Sequence, residues 1–227
     1  MNDLPYVYAA LLDVLGYRDR LSRDRTSGTL AFKDVLESSL RCLASVNDAE
    51  FPHQAISDTI ILTCADRGRL KEFLNVLRDV QVSFLVNGLF LRGGVTFQQH
   101  FRSGAITYSP AYAGAHQLES QLAIYPRIVV DHNIVAMFES SDDIEQLKAS
   151  RLLCECNGVF FLNICDETNW QMLYDQARSL YRADAKGMQR NEGVFSKHLW
   201  FQEYLLSSPH ARSLADRYMP AVRVWDS

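Results

Sequence analysis

Two aspartates, Asp13 and Asp58, stand where an acid calls for an explanation. Asp13 lies near the end of residues 6–15, a nearly unbroken apolar run of the kind that forms a strand buried on both faces. An ionised carboxylate is costly there without a partner. Gly16 follows and frees the backbone to turn. The next helix would then aim its unpaired N–H groups at the same spot, which suits phosphate oxygens. A helix cap explains Asp13 equally well on its own. Asp58 sits in the polar pair Ser57-Asp58, between the short segments Gln54-Ala55-Ile56 and residues 59–63. That is the pattern of a hairpin with Asp58 at its turn, and turns favour Asp for their own reasons. If the hairpin lies beside the first strand, however, the two carboxylates share one site and repel each other unless a cation lies between them. Hard divalent ions such as magnesium or manganese take oxygen ligands of this kind and complete their shell from water and phosphate.

The elements that would position these acids can be read from periodicity. After the first strand, residues 18–46 carry Phe32, Leu36, Leu40 and Leu43 at helical spacing, and the hairpin follows. Residues 69–85 form a helix with Leu70, Phe73, Leu74, Leu77, Val80 and Phe84 on one face. Strands are expected over 89–97 and 100–108. A helix over 110–123 has Pro at its first turn, with Ala111, Ala115, Leu118 and Leu122 inward. A short strand at 127–130, a helix at 141–150 and a hairpin at 152–164 complete a domain over residues 1–165. Asp166-Glu167-Thr168 starts a helix, and a second covers 194–206. Residues 166–227 thus read as a helical extension packed on the domain. The order strand, helix, strand, strand, helix, strand is the ferredoxin-like split βαβ arrangement, which hosts many functions and proves none.

Four motifs together resemble those of the class III adenylate and guanylate cyclases. Leu12-Asp13-Val14-Leu15-Gly16-Tyr17 is similar to their first metal motif. Ser57-Asp58-Thr59 is similar to the second, where the family usually has Gly before the acid. Leu91-Arg92-Gly93-Gly94-Val95 resembles the strand whose Arg contacts the triphosphate. Tyr108-Ser109-Pro110-Ala111, with Ala115 and Leu118-Glu119, resembles the helix after the purine-reading strand. The resemblance covers residues 6–131 and implies an α/β (α+β) fold, a ferredoxin-like class III cyclase catalytic domain with a C-terminal helical extension. It implies two Mn2+ or Mg2+ ions per active site, held by Asp13, Asp58 and the Val14 carbonyl. It further implies phosphates cradled by the backbone of Leu15, Gly16 and Tyr17, and Arg92 on the β- or γ-phosphate. Sites would lie at the subunit interface of a homodimer.

The departures from the family pattern concern the base. Purine-specific members place a Lys four residues before the second metal Asp, and Gln54 stands there. Counting back from Glu119 puts Ile106 where they place an Asp, Ala113 where they place the transition-state Asn, and Gln117 where they place the Arg. Tyr108 follows on the same strand. With Tyr125-Pro126-Arg127-Ile128, this pattern most resembles the pyrimidine cyclases of bacterial Pycsar anti-phage defence. That likeness implies UTP or CTP as substrate, and a cyclic pyrimidine monophosphate that reaches its effector only as a diffusing product; the Gln54 amide, with a donor and an acceptor for a pyrimidine edge, favours UTP. A purine cyclase and an inactive nucleotide-binding module are the alternatives. No Gly-Gly-acid-Glu-Phe motif supports a diguanylate cyclase. Arg102, Arg127 and His116 are further candidates for nucleotide contact, each against a default surface or packed role.

Composition narrows the classes. Lys+Arg 23 against Asp+Glu 27 gives a net charge of −4, which argues against nonspecific nucleic-acid binding. Five cysteines at irregular spacing fit a reduced interior better than a disulfide framework. No basic region precedes the first apolar run, and no run nears the ~20 residues needed to span a bilayer. A cytoplasmic location with no membrane contact is the expectation. Arg178, Arg182, Lys186 and Arg190 recur about once per helical turn and read as a solvated basic face.

Overall fold

The computed structural model describes residues 4–103, 105–139, 144–211 and 216–220. The chain divides into two compact units, Met1–Ile164 and Cys165–Ser227. In the first, the strands are β1 (Tyr6–Val14), β2 (His53–Ile56), β3 (Thr59–Cys64), β4 (Leu91–Gln99), β5 (Phe101–Ser103), β6 (Ile106–Tyr108), β7 (Ile128–Val130), β8 (Leu153–Cys156) and β9 (Val159–Leu162). Seven of them form one sheet in the order β2-β3-β1-β4-β7-β9-β8, and β5 and β6 form a separate two-stranded ribbon. β1 pairs antiparallel with both β3 and β4. These strands and β2 are the split βαβ core expected from the element order. β7 adds parallel to β4, and the β8–β9 hairpin closes that side.

The apolar run of β1 is explained by helices on both faces of the sheet. Side chains alternate along a strand, so Tyr8, Ala10, Leu12 and Val14 share one face and Val7, Ala9, Leu11 and Asp13 the other. Tyr8 stacks on Phe73 of α3 (Leu70–Val86), with ring centroids 6.2 Å apart. Phe73, Leu74 and Leu77 of α3 are fully buried, each worth about 1.5–3 kcal/mol of apolar burial. On the opposite face, Val7 and Ala9 cluster with Ala111 of α4 (Pro110–Gln121). Thr96 on β4 donates to the Ala111 carbonyl at 2.9 Å. Ser109 caps α4 by accepting from the Tyr112 N–H at 3.0 Å.

Several sequence expectations change. Residues 18–46, whose helical spacing starts loosely around Ser27-Gly28, form α1 (Tyr17–Ser27), α2 (Ala31–Leu40) and a 3-10 turn, Arg41–Ser45. The break falls at Gly28, which adopts φ 67. Asp24 holds that corner, accepting from the Phe32 N–H at 2.9 Å and the Thr29 hydroxyl at 3.1 Å. Residues 100–108 form the β5–β6 ribbon instead of one strand. Helix α5 (His132–Glu139) was not anticipated. Of the helix expected over 141–150, α6 (Ile144–Ala149) is present and residues 141–143 lie outside the described residues. On α4 the inward residues are Ala111, Ala115 and Glu119, while Leu122 is exposed.

The second unit contains α7 (Trp170–Met188) and α8 (Glu192–Ser207). The Trp170 indole donates to the Leu205 carbonyl at 2.9 Å and stacks on Tyr174. Buried Gln202 accepts from the Met219 N–H at 2.8 Å. Burial beside Tyr174 and Glu203 pushes the Tyr218 phenol well above its ordinary range.

Candidate active site

Strand pairing brings the sequence's two acids and Arg92 to one end of β1. Asp13 lies opposite Thr59 on β3 and opposite Arg92 on β4. Asp58 immediately precedes Thr59 in the tight β2–β3 turn, and its carbonyl accepts from the Val14 N–H at 3.1 Å. Ser57 before it takes φ 60, a left-handed conformation that glycine adopts more easily. This accounts for the glycine usual at that position in the family the sequence resembles. Gly16, with φ 78, turns the chain from β1 into α1, and α1 begins without a side-chain cap. The Leu15 N–H donates to the Phe90 carbonyl at 3.0 Å, and Tyr17 packs edge-on against Phe32.

Arg92 links two carboxylates. Its Nε donates to Asp13 Oδ2 at 3.1 Å, and its Nη2 lies 2.6 Å from Glu119 Oε1. His116 Nδ1 is 3.4 Å from Glu119 Oε2, with its ring largely exposed. Burial pushes the Asp13 carboxyl above its usual range; Arg92 opposes this and Asp58 adds to it. Burial likewise raises Glu119, with Arg92 opposing and Asp13 adding. Asp13 and Glu119 thus share a single arginine. The donors expected from the sequence, the Asp13 and Asp58 carboxylates and the Val14 carbonyl, would all be hard oxygen ligands of the kind magnesium and manganese take. Among the described residues no group of three His, Cys, Asp or Glu side chains forms a ready-made metal cage. Any ion here would therefore draw further ligands from water or a phosphate, as magnesium commonly does.

A separate cleft of ≈ 480 Å³ opens on the α4 face of the sheet, lined by Gln54, Ile61, Val7, Arg102, Thr107 and Tyr112 among others. Asp13, Asp58 and Arg92 are not among its lining residues. Ile106 and Tyr108 point the other way along the ribbon and are 67% and 60% exposed, so it is Thr107 and Arg102 that face Gln54. Ala113 and Gln117 are exposed on α4, and the Gln117 amide donates to Gln121 at 3.3 Å. Arg127 is buried, its guanidinium over the Tyr125 and Phe161 rings and donating to the Leu122 carbonyl. Sequence reasoning missed Glu119 as a partner of Arg92. The available signal was the Gly93-Gly94 pair, since a Cβ at Gly94 would lie 2.4 Å from the Ala115 carbonyl oxygen. Helix α4 therefore rides directly on β4 beside Arg92.

No helix among the described residues is long and apolar enough to cross a membrane. No protein-family model matches the chain, and no curated protein does. Solved structures do. The adenylyl cyclase CyaB from P. aeruginosa superposes with TM-score 0.50 at 13% identity, over 72% of this chain and 96% of that one. A bacterial light-regulated adenylyl cyclase gives 0.45 at 10% identity, over 78% and 99%. The guanylate cyclase domain of RhGC from Catenaria anguillulae, determined with GTP, gives 0.43 at 10%, over 70% and 97%. These last two are too distant to add to the comparison. The mixed α/β sheet and its flanking helices have the fold of a class III cyclase catalytic domain.

Proposed function

We propose that the chain is a nucleotidyl cyclase that acts on a pyrimidine nucleoside triphosphate, UTP in preference to CTP, as a two-fold homodimer. The observation that carries this reading is the meeting of Asp13, Asp58 and Arg92 at one end of β1, in a fold shared with a solved cyclase. In the reaction, the ribose 3′-oxygen attacks the α-phosphorus. The new O3′–P bond forms as the bond to the β-phosphate oxygen breaks, pyrophosphate leaves, and the hydroxyl proton passes to solvent. Two divalent cations held by Asp13, Asp58 and the Val14 carbonyl would lower the pKa of the 3′-hydroxyl and offset charge on the leaving group.

The chain's own groups do the positioning, which is most of the catalysis in phosphoryl transfer. The uncapped start of α1 at Gly16 offers the backbone N–H groups of Gly16 and Tyr17 to phosphate oxygens, whereas the Leu15 N–H, expected to join them, is already bonded to the Phe90 carbonyl. Arg92 supplies a planar, permanently charged fork for the terminal phosphates. Gln54 presents an amide donor and an acceptor to a pyrimidine edge, in a cleft that also holds Arg102 and Thr107. Tyr108, Ile106 and Gln117 lie on the exposed ribbon and helix surface, where a second subunit would meet them. The dimer is supported by the separation of the two half-sites. The acids and Arg92 do not line the Gln54 cleft of their own chain, and a two-fold axis would bring each cleft to the partner's acids. We read the product as a second messenger in bacterial anti-phage defence, acting on its effector at a distance.

A second reading, a nucleotide-binding module without turnover, draws on Ala113 and Gln117, which give no Asn or Arg at the positions the family uses in the transition state. Incubation with each of the four nucleoside triphosphates and Mn2+, with products identified by mass, separates the readings. Cyclic UMP or CMP supports the pyrimidine cyclase, a cyclic purine product replaces the substrate assignment, and no cyclic product from any nucleotide favours the silent module.

A further inference from the structure

Arg92 is doing two jobs in this arrangement that one guanidinium cannot both keep once a cation arrives. It is the nearest positive charge to Asp13, at 3.1 Å, and so stands where a divalent ion must compete. It also lies against Glu119, whose carboxylate is almost fully buried, with side-chain exposure of 4%. Despite the 2.6 Å approach, Glu119 Oε1 is buried without an aligned hydrogen-bond donor. The guanidinium is therefore stretched between two acids and better bonded to Asp13 than to Glu119. A turn toward Glu119 would complete that bond and free Asp13.

Resting on the cyclase reading, we propose that Glu119 is a positioning residue. It anchors Arg92, so that the guanidinium can yield Asp13 to a divalent cation without leaving the site. Helix α4 is built to hold the anchor in place. The absence of a side chain at Gly94 lets the Glu119 backbone approach β4 so closely that an added Cβ would sit 3.0 Å from the Glu119 nitrogen. Glu119 does not touch substrate in this scheme. It acts through Arg92, and its carboxylate is fixed because an unpaired buried acid is strongly disfavoured.

The test is Mn2+ binding without nucleotide, followed by the electron paramagnetic resonance signal of free Mn2+. Three proteins are compared: wild type, Glu119→Gln, and the double variant Arg92→Ala/Glu119→Gln, which removes the guanidinium and its Glu119 partner together and leaves Asp13 open to the cation. Circular dichroism confirms the fold of each. With its anchor gone, Arg92 settles on Asp13, and Glu119→Gln should bind Mn2+ roughly tenfold more weakly, the scale of one charged contact. Removing Arg92 as well lifts the competition, and the double variant should bind at least as tightly as wild type. A purely structural role for Glu119 would leave the double variant as weak as Glu119→Gln, and that result overturns the proposal. So does unchanged binding in Glu119→Gln. If wild type and the double variant both fail to bind Mn2+, the metal reading of Asp13 and Asp58 falls, and the anchor falls with it.

Discussion

Adding one methyl group at Gly94 should disturb both the stability and the proposed site. The Cβ of Gly94→Ala would lie 2.4 Å from the Ala115 carbonyl oxygen, 2.6 Å from the Leu118 Cβ and 3.0 Å from the Glu119 nitrogen. Two of these three are backbone atoms of α4, which no rotamer change can move aside. Ordinary contact needs about 3.5 Å, so the helix must retreat by about 1 Å. The Gly94 backbone is not in the left-handed region, so the effect is steric alone. Overpacking of this kind costs about 1–3 kcal/mol, a fall in Tm of roughly 3–10 °C. The retreat also draws Glu119 away from Arg92, now 2.6 Å distant, so turnover should fall further than stability explains. Gly187 in α7 is the control, because a Cβ there meets nothing within 4 Å and alanine favours the helix by up to ~1 kcal/mol. Urea denaturation of both variants measures the difference. A Gly94→Ala protein as stable and as active as wild type would refute the close packing of α4 on β4.

Three further outcomes are expected. Ser57→Gly relieves the φ 60 strain at the hairpin and should stabilise the chain by up to ~1 kcal/mol in urea; a loss of stability would mean that the hydroxyl contributes more than the strain costs. Burial pushes the Tyr8 phenol up to about 12 from its ordinary 10.0. The unfolded chain then loses its proton first, so stability is complete below about pH 10 and declines as pH rises from about 10 to about 12. Urea midpoints across that window should fall less in Tyr8→Phe, and an equal fall in both would assign the decline to other groups. If Gln54 reads the base, Gln54→Ala should change the ratio of UTP to CTP turnover, and an unchanged ratio would hand that role to Arg102 or Thr107.

The parts of the fold legible in the sequence were those written in local patterns. The apolar run of β1, the hairpin around Ser57-Asp58 and the amphipathic face of α3 all carry their own periodicity. Buried Glu119 was not legible, because a glutamate on a helix reads as solvated and its partner, Arg92, comes from a different element. The inward stripe of α4 was placed on Ala111, Ala115, Leu118 and Leu122; the direct approach permitted by Gly94 keeps Ala111 and Ala115 buried, turns Glu119 inward and leaves Leu122 exposed. The β5–β6 ribbon was read as one strand because its two three-residue strands, Phe101–Ser103 and Ile106–Tyr108, are too short to show a period of their own. The break between α1 and α2 depends on Asp24 bonding to residues five and eight places along the chain. Pattern reading sees such a capping contact only in retrospect. The meeting of Asp13, Asp58 and Arg92 needed long-range strand register, which the motifs implied through resemblance and no local pattern could supply.

The most direct test of the two-acid site compares wild type with Asp58→Ala for cyclic nucleotide formation from UTP and CTP in the presence of Mn2+, with circular dichroism and sedimentation confirming that both proteins are folded dimers. Loss of product in Asp58→Ala, from a wild type that forms cyclic UMP or CMP, is the predicted result. Full activity in Asp58→Ala, or no cyclic product from the wild type, would contradict the account.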